Sequence, residues 1–168
     1  MPQKISIVAA MTKNRAIGKD NSLIVTDKKD MKVFKSLTEN HIVIMGRKTF
    51  ESLPNQKPLA NRMNIVLTKD ASYQPPSGVV LASSINEALH IAKFYFDKNV
   101  FIIGGGEIYK QAISIADEII LTTFGNLVYE EADTFFPQFG TEFSLNTTCY
   151  IKPDMTVKYY INNDRKTI

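Results

Sequence analysis

The chain contains no tryptophan, a single cysteine and only two histidines among its 168 residues. Without tryptophan, no indole N–H donor exists anywhere in it. With Cys149 alone, no internal disulfide can form. His41 and His90 are far apart and lack partners at metal-ligand spacing, so both are expected on the surface and no metal is expected. Long apolar runs are also missing. The run Ile5–Met11 is short, and charged Lys13 and Arg15 follow at once, so it reads as a strand and not as a leader. No other run approaches membrane-spanning length, which makes a cytoplasmic protein the expectation. A strong excess of one charge is absent too: 20 cations face 17 anions, giving +3. With no Arg/Lys block and no interleaving of basic and aromatic residues, a nucleic-acid partner is not expected, whereas a small anionic ligand suits the mild excess.

What remains is an ordinary globular composition. Hydrophobic residues make up 44% and charged residues 22%, which excludes a disordered chain. The length suffices for one domain spanning residues 1–168 with a sizeable core. Apolar, β-rich runs fall at 5–11, 42–46, 63–68, 79–82, 99–103, 118–124, 143–151 and 156–161. Between them lie helical patterns at 27–37, 48–53, 84–96 and 106–115, the third opened by a capping-box pattern, Ser84-Ile85-Asn86-Glu87. Strands alternating with helices predict right-handed crossovers and a mostly parallel sheet. The last two runs are separated only by Lys152-Pro153-Asp154, which predicts an antiparallel C-terminal hairpin.

Two strand ends carry glycine. In Ile42-Val43-Ile44-Met45-Gly46-Arg47-Lys48-Thr49-Phe50 a buried strand stops at Gly46, and two cations stand where a helix can begin. A helix start presents free N–H groups and a positive dipole end, so this segment is either a phosphate site or a solvated basic turn. In Asn99-Val100-Phe101-Ile102-Ile103-Gly104-Gly105-Gly106-Glu107-Ile108-Tyr109 a second strand runs into three glycines. Neither a P-loop nor the Gly-x-Gly-x-x-Gly spacing is present. Bare backbone at the carboxyl end of a strand is nevertheless where open α/β sheets bind ligands.

Asp30 is the acid that draws chemical interest. It sits one turn into the second element, with Phe34 and Thr38 on the same face. By local pattern Asp27 and Asp30 read first as solvated first-turn acids that offset the helix dipole. If the helix faces a cleft instead, Asp30 can accept two hydrogen bonds from a planar amidine-like edge, and apolar surroundings would raise its pKa.

Taken together and in order, these segments resemble dihydrofolate reductase. The resemblance rests on Ala9-Ala10, Asn14-Arg15-Ala16-Ile17-Gly18, Asp30-x-x-x-Phe34-x-x-x-Thr38, Met45 through Ser52, Arg62-x-Asn64, Ile103 through Tyr109, and Asp133-Thr134-x-Phe136-Pro137. It implies an α/β fold with a central, mostly parallel sheet of about eight strands, a C-terminal antiparallel hairpin and four flanking helices. It also implies hydride transfer from NADPH to 7,8-dihydrofolate, with antifolate inhibitors as further ligands, and the chain's size allows a self-sufficient monomer. Asp30 falls at the family's pocket acid, and Thr122 at the threonine bonded to it. The resemblance gives Val8, Ala9, Met31, Phe34, Leu53 and Leu59 to the folate pocket, and Arg62 to the α-carboxylate of the glutamate tail, a task suited to a planar guanidinium. On the cofactor side it implies a cis bond at the first pair of the Gly104–Gly106 triplet, with the triplet against pyrophosphate and nicotinamide. Arg47, Lys48, Thr68 and Lys69 are expected around the adenosine phosphates. Ala10, Ile17, Gly18, Leu23, Gly46, Thr49, Leu67, Ile103, Glu107, Ile108 and Tyr109 complete that side.

Two departures stand out. Leu23-Ile24-Val25 occupies the place of the family's Leu-Pro-Trp, and Glu107 stands where members place a cation. The competing expectations are a pyrimidine reductase of riboflavin synthesis and a non-catalytic ligand-binding or structural relative. Arg62 with Asp30 and Phe34 favours folate, because a ribityl-phosphate substrate has no glutamate carboxylate.

Overall fold

The computed structural model describes residues 2–165. Strands β1 (Ile5–Thr12), β2 (Ala16–Lys19) and β3 (Ser22–Leu23) are followed by α1 (Lys28–Thr38), β4 (Ile42–Gly46) and α2 (Arg47–Glu51). Then come β5 (Met63–Leu67), β6 (Val79–Ala82), α3 (Ile85–Ala92), β7 (Val100–Ile102), α4 (Gly106–Ala112) and β8 (Glu118–Phe124). Strand β9 (Thr134–Phe135) precedes the hairpin strands β10 (Phe143–Lys152) and β11 (Met155–Asn162). Eight strands form one sheet in the order β10-β11-β8-β1-β7-β4-β5-β6. Pairings from β8 through β6 are parallel, and β11 joins β8 and β10 antiparallel. The expected sheet, hairpin and four helices are therefore all present.

The near-continuous apolar runs reflect burial on both faces of the sheet. Ile42, Val43, Ile44 and Met45 have no exposed surface, and their alternation divides them between two cores. Ile42 and Ile44 join Ile65, Ile102 and Ile119 under α3 and α4. Val43 and Met45 join Phe50 and Val66, against which Val33 and Leu37 of α1 pack. Helices thus cover both faces. Each fully buried side chain such as Phe50 contributes about 1.5–3 kcal/mol through removal from water.

Several boundaries differ from the sequence reading. Helix α3 stops at Ala92 and not Phe96, because Phe94 and Phe96 remain 74% and 80% exposed and offer no packed face to extend it. Helix α4 stops at Ala112, before Ile115, and α2 is shifted toward Arg47. Strands β2, β3 and β9 were not foreseen; they form a separate three-stranded sheet in the order β3-β2-β9. Its tight turn places Asp20 and Asn21 at φ of 50° and 61°, the left-handed pair that a two-residue hairpin favours. His41 is half-buried, not superficial, and its Nδ1 accepts the Asn99 N–H at 3.1 Å.

Candidate active site

Parallel neighbours β4 and β7 end side by side, and each hands over directly to glycine and a helix. The Gly46 N–H donates to the Gly104 carbonyl at 2.8 Å, joining the two strand ends. The Gly104–Gly105 peptide is cis, as the resemblance implies, and Gly104 has a φ of +123°, a region reserved for glycine. The Tyr109 hydroxyl is 2.8 Å from both the Ile103 and the Val8 carbonyl, so its one proton is shared between β7 and β1. Burial pushes the Tyr109 hydroxyl above its ordinary pKa and keeps it a donor.

The missing Cβ atoms show why glycine is needed. A Cβ on Gly104 would lie 3.2 Å from the Tyr109 hydroxyl, one on Gly105 3.3 Å from Thr49 Oγ1, and one on Gly106 2.7 Å from Thr134 Cγ2. Protein fills the side where each side chain would be. Helix starts give the complementary observation. Asp27 caps α1 and Ser84 caps α3, but α2 and α4 begin at Gly46 and Gly105 with no side-chain cap. Two uncapped sets of N–H groups therefore stand next to each other, the chemistry an anionic ligand requires.

The surrounding charge is only partly as expected. Lys48 and Lys69 are exposed near the ends of β4 and β5, and Thr68 Oγ1 accepts the Asp70 N–H. Arg47 is not a free cation. Its Nε donates to Glu51 at 2.7 Å, its NH1 donates to Asp70 at 3.0 Å, and its guanidinium lies 4.0 Å from the Tyr73 ring centre. The Glu51 carboxylate beside it, with Asp70 in support, raises the Arg47 pKa further. Glu107 is exposed and pairs with Lys110 at 3.1 Å, which softens its repulsion of an anion. Ile17 and Leu67 belong to the packed core, and Ile108 packs against it. Leu23 is 71% exposed on the β2–β3 hairpin, whose turn faces α2 across a polar gap lined by Asn21, Ser22, Lys48, Glu51 and Ser52.

The acid side is built by α1, β1 and β8. Thr122 lies within β8, which runs to Phe124 as expected, and it is in register with Ala10 of β1. Burial raises the Asp30 pKa; the neighbouring Thr122 hydroxyl opposes this, and the Asp27 charge adds to it. Asp30 is thus a half-buried acid, and not the solvated first-turn residue of the local pattern. Val8, Leu53 and Leu59 pack against the core next to it, and Ala9 is buried in β1. Met31, expected in the same pocket, is 54% exposed on α1. Arg62 lies 5.9 Å from the Phe34 ring centre and donates to Thr38 Oγ1 at 3.1 Å and to the Ala60 carbonyl at 2.9 Å. Burial lowers its pKa, and among the described residues no carboxylate is within ion-pair distance of it.

Sequence reasoning missed three contributors. Asn64, 1% exposed, holds the Leu59 N–H, the Leu59 carbonyl and the Arg62 carbonyl, and so fixes the loop that carries Arg62. A polar amide inside an otherwise apolar strand was the available signal. The Arg47–Tyr73 stack and the Asp27–Lys152 ion pair at 2.6 Å had no local signal at all. Among the described residues no His/Cys/Asp/Glu group could hold a metal, and no helix is long and apolar enough to cross a membrane.

An acid-bearing helix and two uncapped helix starts on a mostly parallel sheet define an α/β protein with an edge suited to an anionic ligand. Residues 4–164 match the family model described as dihydrofolate reductase. The chain is 39% identical over 137 residues to the dihydrofolate reductase of Bacillus subtilis, covering 80% of this chain and 76% of that one. It is 37% identical over 155 residues to that of Haemophilus influenzae, covering 92% of each. Among solved structures it is similar to dihydrofolate reductase from Enterococcus faecalis complexed with NADP(H) and RAB-propyl, with a TM-score of 0.84, 29% identity, and coverage of 96% and 97%. This chain belongs to the dihydrofolate reductase family.

Proposed function

We infer that this protein reduces 7,8-dihydrofolate to tetrahydrofolate with NADPH. The observation that carries the reading is the half-buried Asp30 carboxylate beside Thr122, placed with the uncapped starts of α2 and α4 on one sheet. NADPH, when bound, supplies the hydride. The free N–H groups at Arg47–Lys48 and Gly105–Glu107 fit its pyrophosphate, with Lys48 and Lys69 adding positive charge at the surface. Arg47 serves an adenosine phosphate only by exchanging one of its two carboxylates for the ligand, with Tyr73 holding the guanidinium plane throughout.

Asp30 accepts hydrogen bonds from the pterin's 2-amino and N3 edge, and Thr122 orients it. A carboxyl held above its ordinary range keeps a proton available closer to neutral pH, which supports protonation of N5. Arg62, backed by Thr38 and the Asn64-braced loop, pairs with the α-carboxylate of the glutamate tail. Antifolates that carry the same amidine-like edge compete for Asp30. The Asp30 carboxylate and the Arg62 guanidinium, which is in no carboxylate pair among the described residues, support a catalyst over a non-catalytic relative.

A monomer is supported by the fact that one chain supplies α1, β8, α2 and α4, hence both sides of the cleft. Cytoplasmic residence fits a chain with one cysteine and a reduced nicotinamide cofactor. The deciding experiment follows loss of NADPH absorbance with dihydrofolate. Turnover establishes the activity, and light scattering of the same sample gives the mass. A folded protein that binds NADPH yet leaves dihydrofolate unreduced would overturn the reading.

A further inference from the structure

Asp27 performs two tasks at once. Its Oδ1 caps α1, accepting the Lys29 N–H at 2.8 Å and the Asp30 N–H at 3.1 Å. Its Oδ2 accepts Lys152 Nζ at 2.6 Å, from the far end of β10 and 125 residues away in sequence. The side chains of this pair are only 16% and 30% exposed. The hairpin that sends out Lys152 also supports the other partner of Asp30: Val157 of β11 is in register with Thr122, and Met155 with Phe124. Both neighbours of the acid are therefore fastened to one hairpin.

We propose that Asp27 and Lys152 act as positioning residues for Asp30, Asp27 by gripping its backbone and Lys152 by countering the Asp27 charge so that less of it bears on the acid. This rests on the reductase reading for its kinetic consequence, though not for its electrostatics. The charges are consistent with the geometry. Lys152, aided by the two N–H groups, lowers the pKa of the Asp27 carboxyl and so favours its ionised form. The Lys152 ammonium is raised in turn by Asp27, with Asp154 of its own turn adding to this. The groups that act on Asp30 are the Thr122 hydroxyl of β8 and Asp27. Of these only Asp27 carries a charge at neutral pH, and Lys152 is its counter-charge.

Replacing Lys152 by Met keeps the aliphatic stem and the cap but leaves Asp27 uncompensated. A second negative charge one helical turn from a half-buried carboxylate, at intermediate dielectric, moves its titration upward by about half a pH unit. Asp27→Asn keeps a capping side chain and removes the charge, so the shift is reversed. Lys152→Arg retains the positive charge and serves as the conservative rescue.

The test has two readouts on the full-length protein. The first is the carboxyl-carbon NMR titration of Asp30, assigned by the resonance lost in Asp30→Asn; it needs no substrate and holds even if dihydrofolate is not turned over. The second is the pH dependence of hydride transfer. Lys152→Met is expected to move the Asp30 titration, and the descending limb of the rate profile, to higher pH. Asp27→Asn is expected to move both lower, and Lys152→Arg to leave both in place. A purely structural pair would lower stability in Lys152→Met without displacing the titration, and that result overturns the proposal. Displaced titration with no reductase activity would sustain the proposal and refute the functional reading.

Discussion

Gly106→Ala isolates one contact. Gly106 is the first residue of α4, and its φ lies outside the left-handed range, so alanine meets no backbone penalty there. The new methyl would stand 2.7 Å from Thr134 Cγ2. Carbon atoms pack at about 3.5–4.0 Å, so Thr134 must retreat by roughly 1 Å. Overpacking of this kind costs about 1–3 kcal/mol, and the helix propensity of alanine over glycine returns at most about 1 kcal/mol. The expected net loss is about 1–2 kcal/mol. Thr134 is in register with Gly18, so its displacement also disturbs the hairpin that faces α2. Urea unfolding, followed by far-ultraviolet circular dichroism, measures the stability, and NADPH titration measures the site. Thr134→Ser removes Cγ2 and keeps the hydroxyl that donates to Asp133 at 2.9 Å. In the Gly106→Ala background it should recover most of the stability. Gly106→Ala as stable as the parent, or a serine effect equal in both backgrounds, would refute the steric reasoning.

Asp30→Asn should lower dihydrofolate reduction by about 10²–10⁴-fold at neutral pH, read by single-turnover kinetics. The same variant should unfold at higher urea than the parent at pH 7. Burial raises the folded pKa of Asp30, so the native state binds the proton more tightly than the unfolded chain, and its stabilising effect is lost as pH rises through the folded value. The difference should vanish below the ordinary carboxylate range; a variant less stable at pH 7 would contradict this. Arg47→Ala should weaken NADPH binding about tenfold or more while leaving NADH nearly unchanged, measured by fluorescence titration; equal losses would remove Arg47 from the adenosine phosphates. Arg62→Leu should raise the dissociation constant of dihydrofolate and spare a pterin without the glutamate tail, and matched losses would assign Arg62 to structure alone.

The main sheet was legible because its strands are buried on both sides, which leaves unbroken apolar runs such as Ile42–Met45. Strands β2, β3 and β9 were not, since two to four residues carry no periodicity and are held by partners such as Gly18 and Thr134, more than a hundred positions apart. The glycine edges read as an anion site, and the structure adds a packing reason for the glycines: the absent side chains make room for Tyr109, Thr49 and Thr134. Arg47 was legible as a cation but not as a paired one, because Asp70 and Tyr73 reach it through the parallel alignment of β4 with β5. Asp27 read as a solvated first-turn acid and is instead the N-cap of α1, with its side chain only 16% exposed. Lys152 was silent because only the closure of the C-terminal hairpin brings it there.

The position of β1 has a consequence for how the chain comes to be folded. This first strand is flanked by β7 and β8, so Ile7 awaits Ile102 on one side and Ile119 on the other. During synthesis it has no neighbour to pair with until about a hundred further residues have been made. Closing so long a loop precedes any reward from the contacts it forms. The early apolar segment must meanwhile be shielded from other chains, because an unpaired strand edge invites association. The arrangement therefore makes the domain late-folding on the ribosome, with the centre of the sheet, including the backbone at Val8 that Tyr109 later grips, among the last parts to be sealed.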